Sequence, residues 1–541
     1  MKATVVIDHE VSAKETKRGK RVWFRSDLLD TRCKVKLGDK FKVVHSANKI
    51  RMVRDPNGTL SITNSRGKLS FDLHNKKVAE TFNDSICRVF IEVSYHEIVI
   101  CIRRSDERLQ ARINNFKERM KRKESLLMGD LCSGIGGLAH SIASGFNRVG
   151  QGIRCAFAVD HHFDIMESAA LTNPTYDENT IIMNCSLEQA PLERMPQLDL
   201  LVTGLSCKAA TRQAGGKKLS LPEFHEEAGW LAMALPTIIE KTNPLVMILE
   251  NVVEWFSTAS RVMLERLMTR LGYEVKEQTL NDKDFGAIEA RTRGALVFVT
   301  KGIELDLELP EPTFNATPVV EVLDDANIFP PVPSDINCEQ KERKGWYPKV
   351  VLEERTAKKK EQGKGHKAKV IAQGDLNTTT IGASYGKGVR LDESVVESEC
   401  GQWLRLATPA ETARFKGLPE VLASNLPKTT AYIALGNSVG ERCWNWLGGQ
   451  VAASFKLADE SLQGYYHDEN SVVEVTIEKC QAHPLRSKRE EDSYMLVAEL
   501  ADGRKVSHNR TFKEDSINKA NALIEKIMSI GSIDETHWIA A

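Results

Sequence analysis

The sequence predicts an α/β fold with a parallel sheet at its centre, and three observations carry that prediction. From Leu126 onward, short apolar runs alternate with helix-length amphipathic stretches, the pattern of strands joined by crossovers. The first run ends in a glycine-rich turn, "GDLCSGIGGLAHSI" at 129–142, that opens a helix. Later runs stop at small or polar residues, as in "LDLLVTGLSCKAATRQ" at 198–213, where α/β folds present polar side chains to ligands.

Taken in order, the first hundred residues resemble short strands. "VFIEVSYHEIVICI" at 89–102 alternates, and "DPNGTLSI" at 55–62 carries an Asn-Gly turn before a strand. A helix follows from a Ser105 cap, with Leu109, Ile113, Phe116 and Met120 on one face, and ends in the basic "KERMKRKES" at 117–125. The α/β region then places strands at 126–131, 154–159, 198–203, 245–249, 274–280 and 295–300, with helices at 226–241 and 259–271. From about 303 to 375 the chain is rich in Pro, Lys and Glu with little periodicity, which predicts a variable, partly extended region. Beyond about 462 a hairpin with an Asp502-Gly503 turn precedes an amphipathic helix bearing Ile517, Ala520, Ile524 and Ile527. No internal repeat is present.

Bulk properties exclude several classes. With 541 residues, 41% hydrophobic and 27% charged, the chain can bury a large core and is neither disordered nor membrane-spanning in composition. No apolar run has signal-peptide or membrane-span length. Eleven cysteines without a CxxC pair fit reduced thiols in a cytoplasmic protein, with no metal site. The net charge of zero hides an asymmetry: residues 1–125 hold 29 Lys and Arg against 16 Asp and Glu. A second basic stretch at 341–369 includes "ERTAKKKEQGKGHKAK". Two basic zones in a balanced chain suggest a polyanion held at defined places.

The chemistry-bearing residues gather at the ends of the strands. Asp130 is followed by Gly134, Gly136 and Gly137, a turn that lets backbone N–H groups approach a ligand. The next strand, "IRCAFAVD", ends in Asp160, placed to accept hydrogen bonds from ribose hydroxyls. Together they favour a nucleoside-containing cofactor. "PLVMILENVVEW" puts Glu250 and Asn251 at a further strand end, so Cys207 and Glu250 face one cleft if the strands are parallel. A lone cysteine is more often a small buried apolar residue, but a neighbouring carboxylate favours a nucleophile.

At this point the chain resembles the cytosine-C5 DNA methyltransferases, which use S-adenosylmethionine, over roughly residues 126–455. Seven motifs occur in the family's order: "DLCSGIGGL" at 130–138, Asp160, "GLSCK" at 204–208, "ENV" at 250–252, "EARTR" at 289–293, "RLATPAETARFKGLPE" at 405–420 and "ALGNSVG" at 434–440. The resemblance implies a Rossmann-like methyltransferase domain with an inserted target-recognition region, flanked by a small mainly-β N-terminal domain and an α+β C-terminal one. The boundaries expected are 1–124, 125–302, 303–404, 405–460 and 461–541, the fourth returning to the catalytic domain. It implies catalytic roles for Cys207, Glu250, Arg291 and Arg293. Cofactor contacts would come from Asp130, Cys132, Gly134, Ile135, Gly136, Gly137, Asp160, His161, Cys185, Asn437 and Ser438. Ser206, Lys208, Asn251, Lys358, Lys359 and Lys360 would meet the substrate.

Five positions depart from the family pattern. Ser206 and Lys208 replace the Pro and Gln beside the cysteine, Glu289 replaces Gln, Cys132 replaces Phe, and Cys185 stands where an Asp contacts adenine. The implied function is methyl transfer to C5 of a flipped-out cytosine in double-stranded DNA through a Cys207–C6 bond. The setting would be bacterial cytoplasm and nucleoid, of the restriction-modification, plasmid or phage type. The alternatives are a tRNA cytosine-5 methyltransferase and a weak or silent DNA-binding relative.

Overall fold

The computed structural model describes residues 4–11, 19–82, 86, 88–206, 223, 231–309, 317–324, 346–362, 368–372, 374–387, 393–398 and 401–461, with 472–479, 493–500, 505–513, 521, 524 and 538–540 of the C-terminal part. Cys207 and Lys208 lie outside the described residues. The chain divides into two compact units, one formed by Met1–Asn114 with Leu462–Ala541, the other by Asn115–Ser461. The two ends, expected as separate domains, thus belong to one unit.

In that first unit a six-stranded sheet and a three-stranded sheet enclose an apolar core that includes Phe41, Ile50, Met52, Phe71, Ile91 and Ile100. Strands Ser493–Leu500 and Lys505–Lys513 pair antiparallel, as the hairpin reading requires, inside a four-stranded sheet. The turn at Asp502-Gly503 and most of the helix expected at 517–527 are outside the described residues.

The second unit is built on a seven-stranded sheet. Its strands are β1 (Leu126–Leu131), β2 (Ile153–Asp160), β3 (Ile181–Asn184), β4 (Leu200–Gly204), β5 (Val246–Asn251), β6 (Tyr273–Asn281) and β7 (Thr292–Thr300), in the spatial order 3-2-1-4-5-7-6. The first five run parallel. Contrary to the parallel expectation, β7 is antiparallel to both β5 and β6. The reason is connection length: the short link 282–291 between β6 and β7 is too brief for the crossover a parallel pair needs. The edge strand β3 was not legible from periodicity, being four residues long and only partly buried.

Helix α1 (Arg104–Arg122) precedes the sheet, and α2 (Gly137–Arg148), α3 (Phe163–Thr172), α4 (Leu231–Thr242) and α5 (Ala259–Arg270) flank it. Phe157, Leu201, Met247 and Phe298 from the strands meet Ile238, Ile239, Leu264 and Met268 from α4 and α5 in one core. The basic end of α1 is latched to the sheet: Arg119 Nη1 lies 2.5 Å from Asp199 Oδ2, which also accepts the Leu127 N–H at 2.7 Å.

The stretch expected to be extended contains a helix, α6 (Lys349–Glu361), because "KVVLEERTAKKKE" is dense in strong helix formers and follows Pro348. Around it lies a small sheet of Trp346–Pro348, Trp403–Arg405, Ser394–Glu397 and Lys369–Ile371. The chain then returns through α7 (Pro409–Phe415), α8 (Lys428–Asn437) and α9 (Arg442–Ser461). Helix α9 crosses α2 at glycines: a Cβ on Gly145 would fall 2.1 Å from the Asn445 carbonyl oxygen. That close approach brings the end of α8 beside the start of α2, so residues 300 positions apart share one site.

Candidate functional site

Because β1, β2, β4 and β5 are parallel neighbours, their C-terminal ends share one edge of the sheet. Asp130, Asp160, the Ser206 loop and Glu250 therefore lie along one line.

On the β1–β2 side, the turn after Asp130 uses left-handed backbone at Cys132 (φ 52°), Gly134 (φ 54°) and Gly136 (φ 73°). Asp160 organises it: Oδ2 accepts the Gly134 N–H at 2.9 Å, and Oδ1 accepts the His162 N–H at 3.0 Å. Among the described residues a Cβ at Gly134 would meet nothing within 4 Å, whereas one at Gly136 would sit 2.1 Å from Asn173 Nδ2. The loop is thus packed on its Asn173 side and open above Gly134. Asn173 Nδ2 donates to the carbonyls of Ile135 and Gly136, locking the packed side. Ile135 turns its side chain into a cluster with Ile165, Leu418 and Leu435, so only its backbone faces the turn.

Asp130 is 1% exposed and accepts a hydrogen bond from Tyr176 Oη at 3.0 Å. Burial pushes its carboxyl up to about 8 against that hydrogen bond, with Asp160 adding to the rise. Burial also raises the Cys132 thiol, with Asp160 and Asp130 reinforcing the effect. Cys185 donates its N–H to the Asp160 carbonyl at 3.1 Å, and its thiol is raised chiefly by burial. His161 is exposed, with Nδ1 3.4 Å from Asp160 Oδ1, and its ring lies 3.9 Å from that of His162. Asn437 and Ser438 end α8. Among the described residues Ser438 Oγ is buried without a hydrogen-bond partner, next to Gly137, where a Cβ would meet it at 2.1 Å. A glycine turn, a strand-end carboxylate and a buried hydroxyl are groups that could hold a nucleoside-bearing ligand with a polar tail.

On the β4–β5 side, Gly204 pairs with Glu250 in register, and a Cβ at Gly204 would lie 3.2 Å from Glu250 Oε2. Arg293, at the start of β7, sets Nε 3.0 Å from Glu250 Oε1. Ser206, partly buried, directly precedes Cys207 in the sequence. Asn251, expected to meet substrate, is 1% exposed; its Nδ2 donates to the Leu205 carbonyl and its Oδ1 accepts the Val252 N–H. It therefore pins Leu205, two residues before Cys207 in the sequence, to β5. The two arginines also separate. Arg293 joins Glu250, whereas Arg291 is 3% exposed and turns to Glu289 and the Ile381 carbonyl.

Sequence reasoning missed Tyr176, Asn173 and Lys416. Lys416 Nζ lies 2.5 Å from Glu289 Oε2, and both side chains are fully buried. Lys416 was visible within "ARFKGLPE", but nothing local links it to Glu289. Lys358, Lys359 and Lys360 stand exposed on the last turn of α6. Among the described residues no helix is long and apolar enough to cross a membrane.

The C-5 cytosine-specific DNA methylase family matches residues 126–443 of this chain. The type II methyltransferase M.NlaX of Neisseria lactamica is 26% identical over 313 residues, 57% of this chain and 91% of that protein. Among solved structures, the Dnmt2 methyltransferase of S. pombe superposes with a TM-score of 0.44 at 17% identity, covering 62% of this chain and 98% of that one. The Entamoeba histolytica methyltransferase EhMeth gives 0.43 at 15% identity, covering 61% and 98%.

Proposed function

The chain belongs to the C-5 cytosine-specific DNA methylase family and uses S-adenosylmethionine as methyl donor, and on that premise we propose that it methylates cytosine C5 in double-stranded DNA through a covalent Cys207–C6 intermediate. The observation that carries the reading is the Glu250–Arg293 pair, 3.0 Å apart, at the strand end beside Gly204, three residues before Cys207.

Cytosine C5 is too weak a nucleophile to take a methyl group unaided. A thiolate from Cys207 adding to C6 pushes an electron pair toward C5, and cysteine suits this because its thiolate is accessible near neutral pH. Charge also builds on N3, where Glu250 supplies a proton as general acid. Arg293, bonded to Glu250, holds that carboxyl in place and offers donors to the base carbonyl. When bound, S-adenosylmethionine supplies an electrophilic sulfonium methyl at C5. Loss of the C5 proton to solvent then returns its electron pair to the ring and expels Cys207 as thiolate. Asp160 and the Gly134 turn would hold the donor's nucleoside, and Asn437 and Ser438 its polar end.

A stacked base cannot reach this edge, so the target must swing out at a cost of a few kcal/mol. Phosphate contacts from Lys358, Lys359 and Lys360, within a recognition region spanning 303–404, offset that cost. Ser206 and Lys208, in place of a rigid Pro and a Gln, leave the thiol itself intact.

The test is a duplex carrying 5-fluorocytosine, with S-adenosylmethionine present. Fluorine cannot leave C5 as a proton does, so a covalent protein–DNA adduct accumulates. Cys207→Ser abolishes it, and Glu250→Gln slows it while leaving donor binding unchanged. An adduct persisting in Cys207→Ser moves the nucleophile elsewhere. Methylation of tRNA but not of duplex DNA reassigns the substrate.

A further inference from the structure

The segment from Glu289 to Arg293 is held on both sides before it becomes β7. Glu289 donates its N–H to the Phe415 carbonyl at 2.9 Å; its Oε1 accepts the Ile381 N–H at 2.7 Å and its Oε2 meets Lys416 Nζ at 2.5 Å. Ala290 donates its N–H to the Thr378 carbonyl and accepts Thr380 Oγ1. The Arg291 carbonyl accepts the Asp282 N–H at 3.1 Å. Two segments remote in sequence, 378–381 and 415–416, and the nearer Asp282 therefore converge on three consecutive residues, and two residues beyond Arg291 stands Arg293, on Glu250.

The charges here are buried and balanced. Glu289, Lys416, Arg291 and Asp282 are each at most 3% exposed. Burial alone would raise the Glu289 carboxyl, but Lys416 and Arg291 hold it below the usual carboxylate range. Two carboxyl groups face two cations, with the Cys443 thiol donating to Asp282 Oδ1 at 3.0 Å. Buried ion pairs contribute little to stability over an apolar equivalent, yet they fix which groups meet.

We propose that the Glu289–Lys416 ion pair is a positioning clamp, setting the register of residues 289–293 against the Ile381 and Phe415 segments so that Arg293 arrives at Glu250. Glu289 and Lys416 act through Arg293 and touch no substrate. An apolar pair would fill the space without choosing a register, because a one-residue slip turns Arg293 to the opposite face of β7. The departure of Glu289 from the family's Gln is thus matched by Lys416, its buried counter-ion.

The test uses Glu289→Gln, Lys416→Gln and the double variant in the full chain. Each single change leaves one buried charge without its counter-ion, whereas the double change restores neutrality and keeps an amide–amide hydrogen bond. Methyl transfer into duplex DNA should lose about tenfold to 100-fold in kcat in either single variant, as misplacement of a catalytic group does. The S-adenosylmethionine Kd should stay unchanged, and the double variant should recover most of the loss. Hydrogen exchange of the 288–293 and 378–381 amides should rise in the single variants and fall back in the double. The kcat arm rests on the methyl-transfer reading; the exchange arm does not. Wild-type protein that transfers no methyl group to any nucleic acid overturns that reading, while exchange still decides the clamp. Unchanged exchange in the single variants, additive losses in the double, or altered exchange with kcat intact overturns the clamp.

Discussion

Replacing Asp160 with alanine tests the cofactor side of the site at its most connected atom pair. The carboxylate is 9% exposed and accepts two backbone hydrogen bonds, from Gly134 at 2.9 Å and His162 at 3.0 Å. Charge-assisted bonds of this kind contribute about 1.5–3 kcal/mol each. Their loss does not free the loop entirely, since Gly136 still donates to the Ser133 carbonyl and Asn173 still holds Ile135 and Gly136. With the ribose contacts also removed, S-adenosylmethionine affinity should fall by about 1–3 kcal/mol, roughly fivefold to 150-fold in Kd. Asp160→Asn keeps one acceptor oxygen but sets its amide donor against the second N–H, so its loss should be intermediate. Titration calorimetry with S-adenosylmethionine and its demethylated product measures both variants. A Kd unchanged in Asp160→Ala would refute the placement of the nucleoside at the end of β2.

Three other outcomes follow from the same geometry. Neutralising Lys358, Lys359 and Lys360 to Gln should lower the slope of log K against log salt for duplex DNA by about 2 to 3, with similar weakening on all sequences; filter binding across a salt series checks this. Asp130 rises from its ordinary value of 3.8 to about 8 in the folded protein, so folding takes up a proton and its stability contribution declines as pH rises from about 4 to about 8. Urea unfolding at pH 5 and pH 8.5 should show Asp130→Asn gaining on the parent protein as pH rises, by at most about 1.4 kcal/mol per pH unit. Arg119→Met strips the partner from Asp199, which is 1% exposed, and should cost about 3 kcal/mol by chemical denaturation near neutral pH. The cost should shrink in acid, where burial already favours protonated Asp199.

Local features were legible from sequence because their physics is local. Glycines 134 and 136 mark a turn that needs left-handed backbone, and Asp160 ends an apolar run of strand length, so both stand at the sheet edge without knowledge of any distant partner. The alternation that announces strands and helices is likewise a property of a few neighbouring residues. Lys358 to Lys360 show the limit of that reasoning: their composition suggested an extended region, and helix propensity over thirteen residues decided otherwise.

What only the tertiary structure decided concerns partners and directions. Two arginines two residues apart look alike in "EARTR", yet one meets Glu250 and the other turns into the interior: Arg291 precedes β7, in a stretch held by the 378–381 and 415–416 segments, whereas Arg293 lies within β7 beside β5. Asn251, expected to meet substrate, is seen to anchor the Leu205 carbonyl once β4 and β5 are in register. The antiparallel return of β7 depended on the length of a link, not on the pattern of β7 itself. Glu289 and Lys416, 127 residues apart, carry no mutual signal in a single sequence. A buried charge states only that a counter-charge must exist; the packing of α7 against the 289–293 segment decides which one it is.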